Sequence, residues 1–165
     1  LWERLMEAGR PFGLRPFGVL AQRVLRLEKA YAILGQDTDQ ETTLDDIGRG
    51  DQVAIHKPYF VGKSAIQMRR TRPVAQTLVP ISLSGGRADT PGEYSLIEKN
   101  GKVIGRITSA EYSPTFGEIV GLALLDSGAA QPGETVRVWR QNGVGAEVRL
   151  LAQAPYDPLN ERQKI

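Results

Sequence analysis

The sequence contains no cysteine, and only one of its 165 residues is a histidine, His56. The first absence removes disulfides, thiolate metal ligands and cysteine nucleophiles. The second leaves a zinc site or a Ser-His-Asp triad almost no means of assembling within the chain. No apolar run reaches the roughly 20 residues that a membrane-spanning helix requires, and no signal peptide is visible. The expected location is therefore cytoplasmic, with no membrane partner. Charge of one sign is lacking too: 21 basic residues face 19 acidic ones for a net charge of +2, and the arginines are dispersed. A nucleic-acid footprint needs a basic stripe or cluster, so no nucleic-acid partner is expected.

What remains is the composition of a globular protein, with 41% hydrophobic and 24% charged residues. A chain of this length can bury about 70% of the surface that its unfolded form exposes. "LWERLMEAG" (1–9) spaces its apolar residues for a helix stopped by Gly9, and it starts in mid-helix, so the chain reads as cut from something longer. "RPFGLRPFG" (10–18) must bend, and "VLAQRVLRL" (19–27) is a short amphipathic helix. Thr42 or Thr43 is placed to cap one helical turn ending at Gly48, "QVAIH" (52–56) alternates like a strand broken by Pro58, and "GKSAIQMRR" (62–70) reads as a helix.

From Val74 the pattern changes. "VAQTLVPISLS", "EYSLIEK", "KVIGRITSAEYS", "EIVGLALLD", "ETVRVWRQ" and "AEVRLLAQ" are six strand-like runs. Asn100-Gly101 and Asn142-Gly143 favour type I′ hairpin turns between them, and Pro132-Gly133 marks another turn. The expected fold is α+β: an incomplete, mostly helical αβ region over 1–73, then a six-stranded antiparallel β-barrel of jelly-roll type over 74–165, closed to avoid exposed edges.

Few residues invite chemistry. Asp37, Asp39 and Glu41 fill the first, third and fifth positions of a calcium loop, but Thr42 stands where glycine is required and Gly48 where glutamate is required, so no metal site is assigned. His56 lacks a second member and reads as a packed or surface residue. Glu28 is different, because a negative charge at a helix exit opposes the macrodipole. Two readings stay open: a solvated glutamate neutralised by Arg26 or Lys29, or a carboxylate placed to hold a ligand.

"LWERLMEAGRPFGLRPFG", "LRLEKAYAILGQDTD", "TTLDDIGRG", "FVGKSAI", "GKVIGRITSAEYSPTFGEIVGLAL" and "PYDP" follow one another as in the C-terminal half of the aminomethyltransferase family. The chain resembles that half of glycine cleavage T-proteins and of the folate-binding parts of sarcosine oxidase alpha subunits, sarcosine dehydrogenase and dimethylglycine dehydrogenase. The resemblance implies tetrahydrofolate as one-carbon acceptor, held in the channel of a three-domain cloverleaf whose third domain is the barrel. It implies that Glu28, the glutamate of "RLE", accepts hydrogen bonds from the pterin, and that Lys57 meets the glutamyl tail. It also implies a missing N-terminal half or a partner subunit, with a homodimer as a further possibility. No residue here is assigned as catalytic, because the family's positioning aspartate lies upstream of this segment. Departures occur at "TLDDIGRG", where the family commonly has "TPLEAGLG", at Glu118, where a basic residue is usual, and at Thr108-Ser109-Ala110, where "TSG" is usual. The expected function is the C-terminal portion of a tetrahydrofolate-dependent aminomethyltransferase. The alternative is a non-catalytic folate-binding or interaction module associated with an oxidoreductase such as sarcosine oxidase.

Overall fold

The computed structural model describes residues 1–140 and 142–164. Three helices, α1 (Trp2–Gly9), α2 (Val19–Glu28) and α3 (Lys63–Arg69), precede six strands: β1 (Gln76–Leu83), β2 (Leu96–Lys99), β3 (Lys102–Ser113), β4 (Glu118–Asp126), β5 (Thr135–Trp139) and β6 (Gly145–Leu150). The strands close into an antiparallel barrel in the order β1-β4-β3-β2-β5-β6, as the strand pattern predicts. The final position of the run "ETVRVWRQ", Gln141, lies outside the described residues.

Periodicity explains which barrel faces are covered. Along β5 the pattern is alternating, with Val136 and Val138 inside and Arg137 facing solvent. β4 is apolar on both faces. Ile119, Ala123 and Leu125 join the interior with Ile81, Ile97 and Val148, whereas Val120 and Leu122 turn outward and pack under Leu27 of α2. A strand buried on both sides reads as a continuous apolar run, and "EIVGLALLD" is one because α2 lies across β3 and β4. That packing fixes where the last turn of α2 sits.

The hairpin at Asn100-Gly101 has both residues at positive φ, 54° and 78°, as a type I′ turn demands. At the other predicted type I′ site Gly143 has a positive φ, 76°, and Asn142 Oδ1 accepts from the Val144 N–H. The expected strand over 52–56 does not form. A 3₁₀ turn covers Gly50–Gln52, and the Lys57 N–H bonds back to the Ala54 carbonyl. Alternation alone cannot make a strand where no neighbouring edge is available to pair, and Pro58 removes the next donor.

Residues 44–48 form a turn in place of the expected helical one, with the Asp46 N–H donating to Thr43 Oγ1 at 3.4 Å as a capping bond and the Thr43 N–H and hydroxyl donating to Asp46 Oδ2 at 2.7 and 2.6 Å. The end of α3 clamps it. Arg70 Nε and Nη2 grip Asp45 as a fork at 2.9 Å each, and these hydrogen bonds hold the Asp45 carboxyl below its usual range. A depressed folded pKa stabilises the fold above the unfolded carboxyl pKa, and that contribution disappears as pH falls through the folded value. Exposure of the pair limits it to less than about 1 kcal/mol. Asp45→Asn is expected to cost that much in urea unfolding at neutral pH, and the difference from wild type is expected to shrink as pH falls through the folded carboxyl pKa.

Candidate functional site

The last turn of α2 sends two charged side chains into the protein, Arg26 and Glu28. Arg26 is bonded to Asp37, donates from Nη2 to Ser109 Oγ at 2.7 Å and reaches the Tyr31 carbonyl at 3.2 Å. Asp37 also accepts from Thr108 Oγ1 at 2.6 Å, Ser109 Oγ at 2.5 Å and the Ile33 N–H at 2.8 Å. Consecutive strand residues normally face opposite sides, yet both hydroxyls reach one carboxylate. The register of β3 against β4 slips between Ile107 and Ser109, and this bulge re-aims the pair. The loop aspartate that the sequence offered only as a position in a rejected calcium loop is therefore a buried strut, 1% exposed, tying α2 and its following loop to β3. Asp39 instead closes its own loop, accepting from the Glu41 and Thr42 N–H groups, and no cluster of three metal-ligating residues occurs among the described residues.

Glu28 is buried as well, 3% exposed. Ser113 Oγ, at the end of β3, donates to Glu28 Oε1 at 2.6 Å, and the Glu28 carbonyl accepts the Tyr156 N–H at 2.9 Å. Neither cation that could have neutralised it does so. Arg26 is committed to Asp37, while Lys29 Nζ bonds Asn160 Oδ1 and the Asp157 carbonyl, each at 2.6 Å, and pairs with the Asp157 carboxylate at 3.2 Å. Burial pushes the Asp157 carboxyl up, but the Glu161 N–H and the Lys29 ammonium outweigh it and hold the group below its ordinary range. Glu28 forms no ion pair among the described residues. A buried, ionisable carboxylate with one hydroxyl donor is far from saturated, because it can accept about four hydrogen bonds.

Glu28 is not among the residues that line either of the two largest hollows near these elements. A cavity of about 570 Å³ is lined by Phe116, Glu118, Arg149, Leu151, Pro155 and Pro158. Phe116 sits in the loop held by Ser113, and Pro155 precedes the residue that bonds the Glu28 carbonyl. A larger hollow of about 760 Å³ lies between Asp46, Arg69 and Leu124. Six charged residues line it, and two of these, Asp46 and Arg69, pair with each other at 3.4 Å.

Lys57 is exposed, in the turn before α3, and its carbonyl accepts from Lys63 Nζ at 2.5 Å. The structure does not join Lys57 to Glu28 by any hydrogen bond or ion pair among the described residues. His56 is exposed beside it. Sequence reasoning missed Arg26 and Asp37 as partners in one buried network, and Ser113 as the partner of Glu28. The two serines of β3 were the available signal, since a polar residue on a strand whose neighbours are apolar needs a partner.

Sequence comparison places these features in a family. Residues 76–157 match the glycine cleavage T-protein C-terminal barrel domain, and residues 1–57 match the GCVT N-terminal domain. The aminomethyltransferase of Thermotoga maritima is 37% identical over 165 residues, covering all of this chain and 44% of that protein. The sarcosine oxidase alpha subunit of Rhizobium meliloti is 33% identical over 173 residues, covering 99% of this chain and 17% of that one. The crystal structure of the glycine cleavage system aminomethyltransferase T from Bartonella henselae superposes with a TM-score of 0.80 at 21% identity, over 94% of this chain and 43% of that one, which shows the shared fold. The chain thus spans less than half the length of the aminomethyltransferases it matches. It belongs to the aminomethyltransferase family, that of the glycine cleavage T-protein, and corresponds to the C-terminal half of those proteins.

Proposed function

We propose that this chain is the C-terminal, folate-orienting portion of an aminomethyltransferase that moves a one-carbon unit from an aminomethyl donor to tetrahydrofolate. The observation that carries the reading is Glu28: a buried carboxylate at a helix C-terminus, with both neighbouring cations engaged elsewhere. Such a group opposes the helix dipole and keeps acceptor positions that no described residue fills. A pterin offers a ring N–H and an exocyclic amine side by side, which a carboxylate accepts as a fork. Tetrahydrofolate supplies the nitrogen that accepts the one-carbon unit, and the protein's contribution is to hold donor and acceptor in register.

Lys57 would meet the glutamyl tail from the surface. A solvent-exposed cation against a mobile carboxylate contributes little, so Lys57→Ala is expected to weaken folate binding by about two- to fivefold, with the difference shrinking at high salt. Affinity measured at two ionic strengths checks this.

The segment before the barrel supports the need for a partner. Leu1, Trp2, Phe12, Phe17 and Leu20 are exposed, and α1 buries no residue. Such a surface calls for cover by an N-terminal half, a partner subunit or a second copy. The similarity to a sarcosine oxidase subunit favours one second reading, a folate-binding module without transferase activity of its own.

Calorimetric titration of tetrahydrofolate tests the shared part of both readings. Saturable binding by the protein with its N-terminal half supports them, and its absence there sinks them. One-carbon transfer from an aminomethyl donor to folate then separates the enzyme from the module.

A further inference from the structure

We infer that Ser113 is a positioning residue for Glu28, which leaves Oε2 and the second lone pair of Oε1 for the two donors of the ligand. The inference rests on the pterin reading of Glu28 and adds a specific device to it. Ser113 is fully buried at the end of β3, where the chain turns through "SPTFG" into β4. Its hydroxyl donates to Glu28 Oε1 at 2.6 Å and accepts the Phe116 N–H at 3.3 Å, while its carbonyl accepts the Gly117 N–H at 2.9 Å.

That arrangement fixes the direction of the hydroxyl proton. A serine hydroxyl has one donor and two acceptor sites. With the Phe116 N–H on an acceptor site, the proton is left for Glu28, and the carboxylate plane is pinned through one oxygen. Four residues earlier on the same strand, Ser109 holds Arg26, two residues from Glu28, against Asp37. β3 therefore anchors the last turn of α2 through Ser109 and sets the carboxylate itself through Ser113. Without the second anchor the helix would stay in place, but the carboxylate could rotate about its side-chain torsions and lose the alignment that a two-point donor requires.

The test is a double-mutant cycle on tetrahydrofolate affinity in the protein with its N-terminal half, read by calorimetry, with Ser113→Ala, Ser113→Thr, Glu28→Gln and the double variant Ser113→Ala/Glu28→Gln. Ser113→Ala is expected to weaken binding about tenfold, the scale of one hydrogen bond to a charged group. Ser113→Thr, which keeps the hydroxyl, is expected to bind within about twofold of wild type. In the Glu28→Gln background, Ser113→Ala is expected to cost little further, because the carboxylate fork that Ser113 aligns is already lost. A serine that only supports the fold would lower affinity equally in both backgrounds, and that result overturns the proposal. Wild-type affinity in Ser113→Ala together with a loss in Glu28→Gln overturns the positioning role and leaves the pterin reading intact. Unchanged binding in Glu28→Gln, or no binding by wild type, overturns the pterin reading and this inference with it. Should the alanine variant not fold, Ser113→Cys keeps the shape with a weaker donor and carries the same comparison.

Discussion

Asp37→Ala is expected to destabilise the protein by about 3–5 kcal/mol, the cost of leaving a buried charge without its partner. Arg26 is 8% exposed and already has one nitrogen, Nε, without a hydrogen-bond partner. Removing the carboxylate would take from the guanidinium its counter-ion and from Thr108 and Ser109 their shared acceptor, leaving Thr108 only the Leu122 carbonyl at 3.2 Å. For a chain of this size the loss corresponds to a fall of roughly 6–20 °C in Tm. Urea unfolding at constant m-value measures it. The double variant Arg26→Met/Asp37→Leu removes both charges together and is expected to recover most of the loss, since apolar groups of similar volume commonly replace a buried ion pair at little cost. A loss below 1 kcal/mol in Asp37→Ala would mean that water reaches Arg26 and that the strut is not a dry one.

How much of this was legible beforehand differs between the barrel and the network. The six strands follow from alternation and turn residues, which are local signals. The doubly apolar run of β4 even announced that something would cover its outer face. Glu28 was legible as an oddity, because the helix dipole makes a C-terminal carboxylate unfavourable by itself. Its burial was not legible, since it depends on Ser113, 85 positions along the chain. Asp37 was missed for the same reason. In the loop "GQDTDQE" it looks like one of several acids, and only the bulge at Thr108-Ser109 shows that two hydroxyls converge on it. The false strand at 52–56 is the opposite case, a local pattern for which the fold offers no pairing edge.

Glu28→Gln is expected to weaken tetrahydrofolate binding by more than about 1.5 kcal/mol, or more than tenfold in Kd, while leaving the fold nearly unchanged. The amide oxygen can still accept the Ser113 hydroxyl, so the contact that holds the side chain to β3 survives. The amide nitrogen, however, presents two donors to a pterin that also offers donors, and it cannot complete the fork. Stability should therefore change by less than about 1 kcal/mol, and it should rise if anything, because a buried charge without a cation is costly in the absence of ligand. This opposition of signs, affinity down and stability level or up, distinguishes a carboxylate kept for a ligand from one kept for the fold. If Glu28→Gln instead loses stability and keeps its affinity, the carboxylate serves α2 and β3 alone, and the pterin must lie elsewhere.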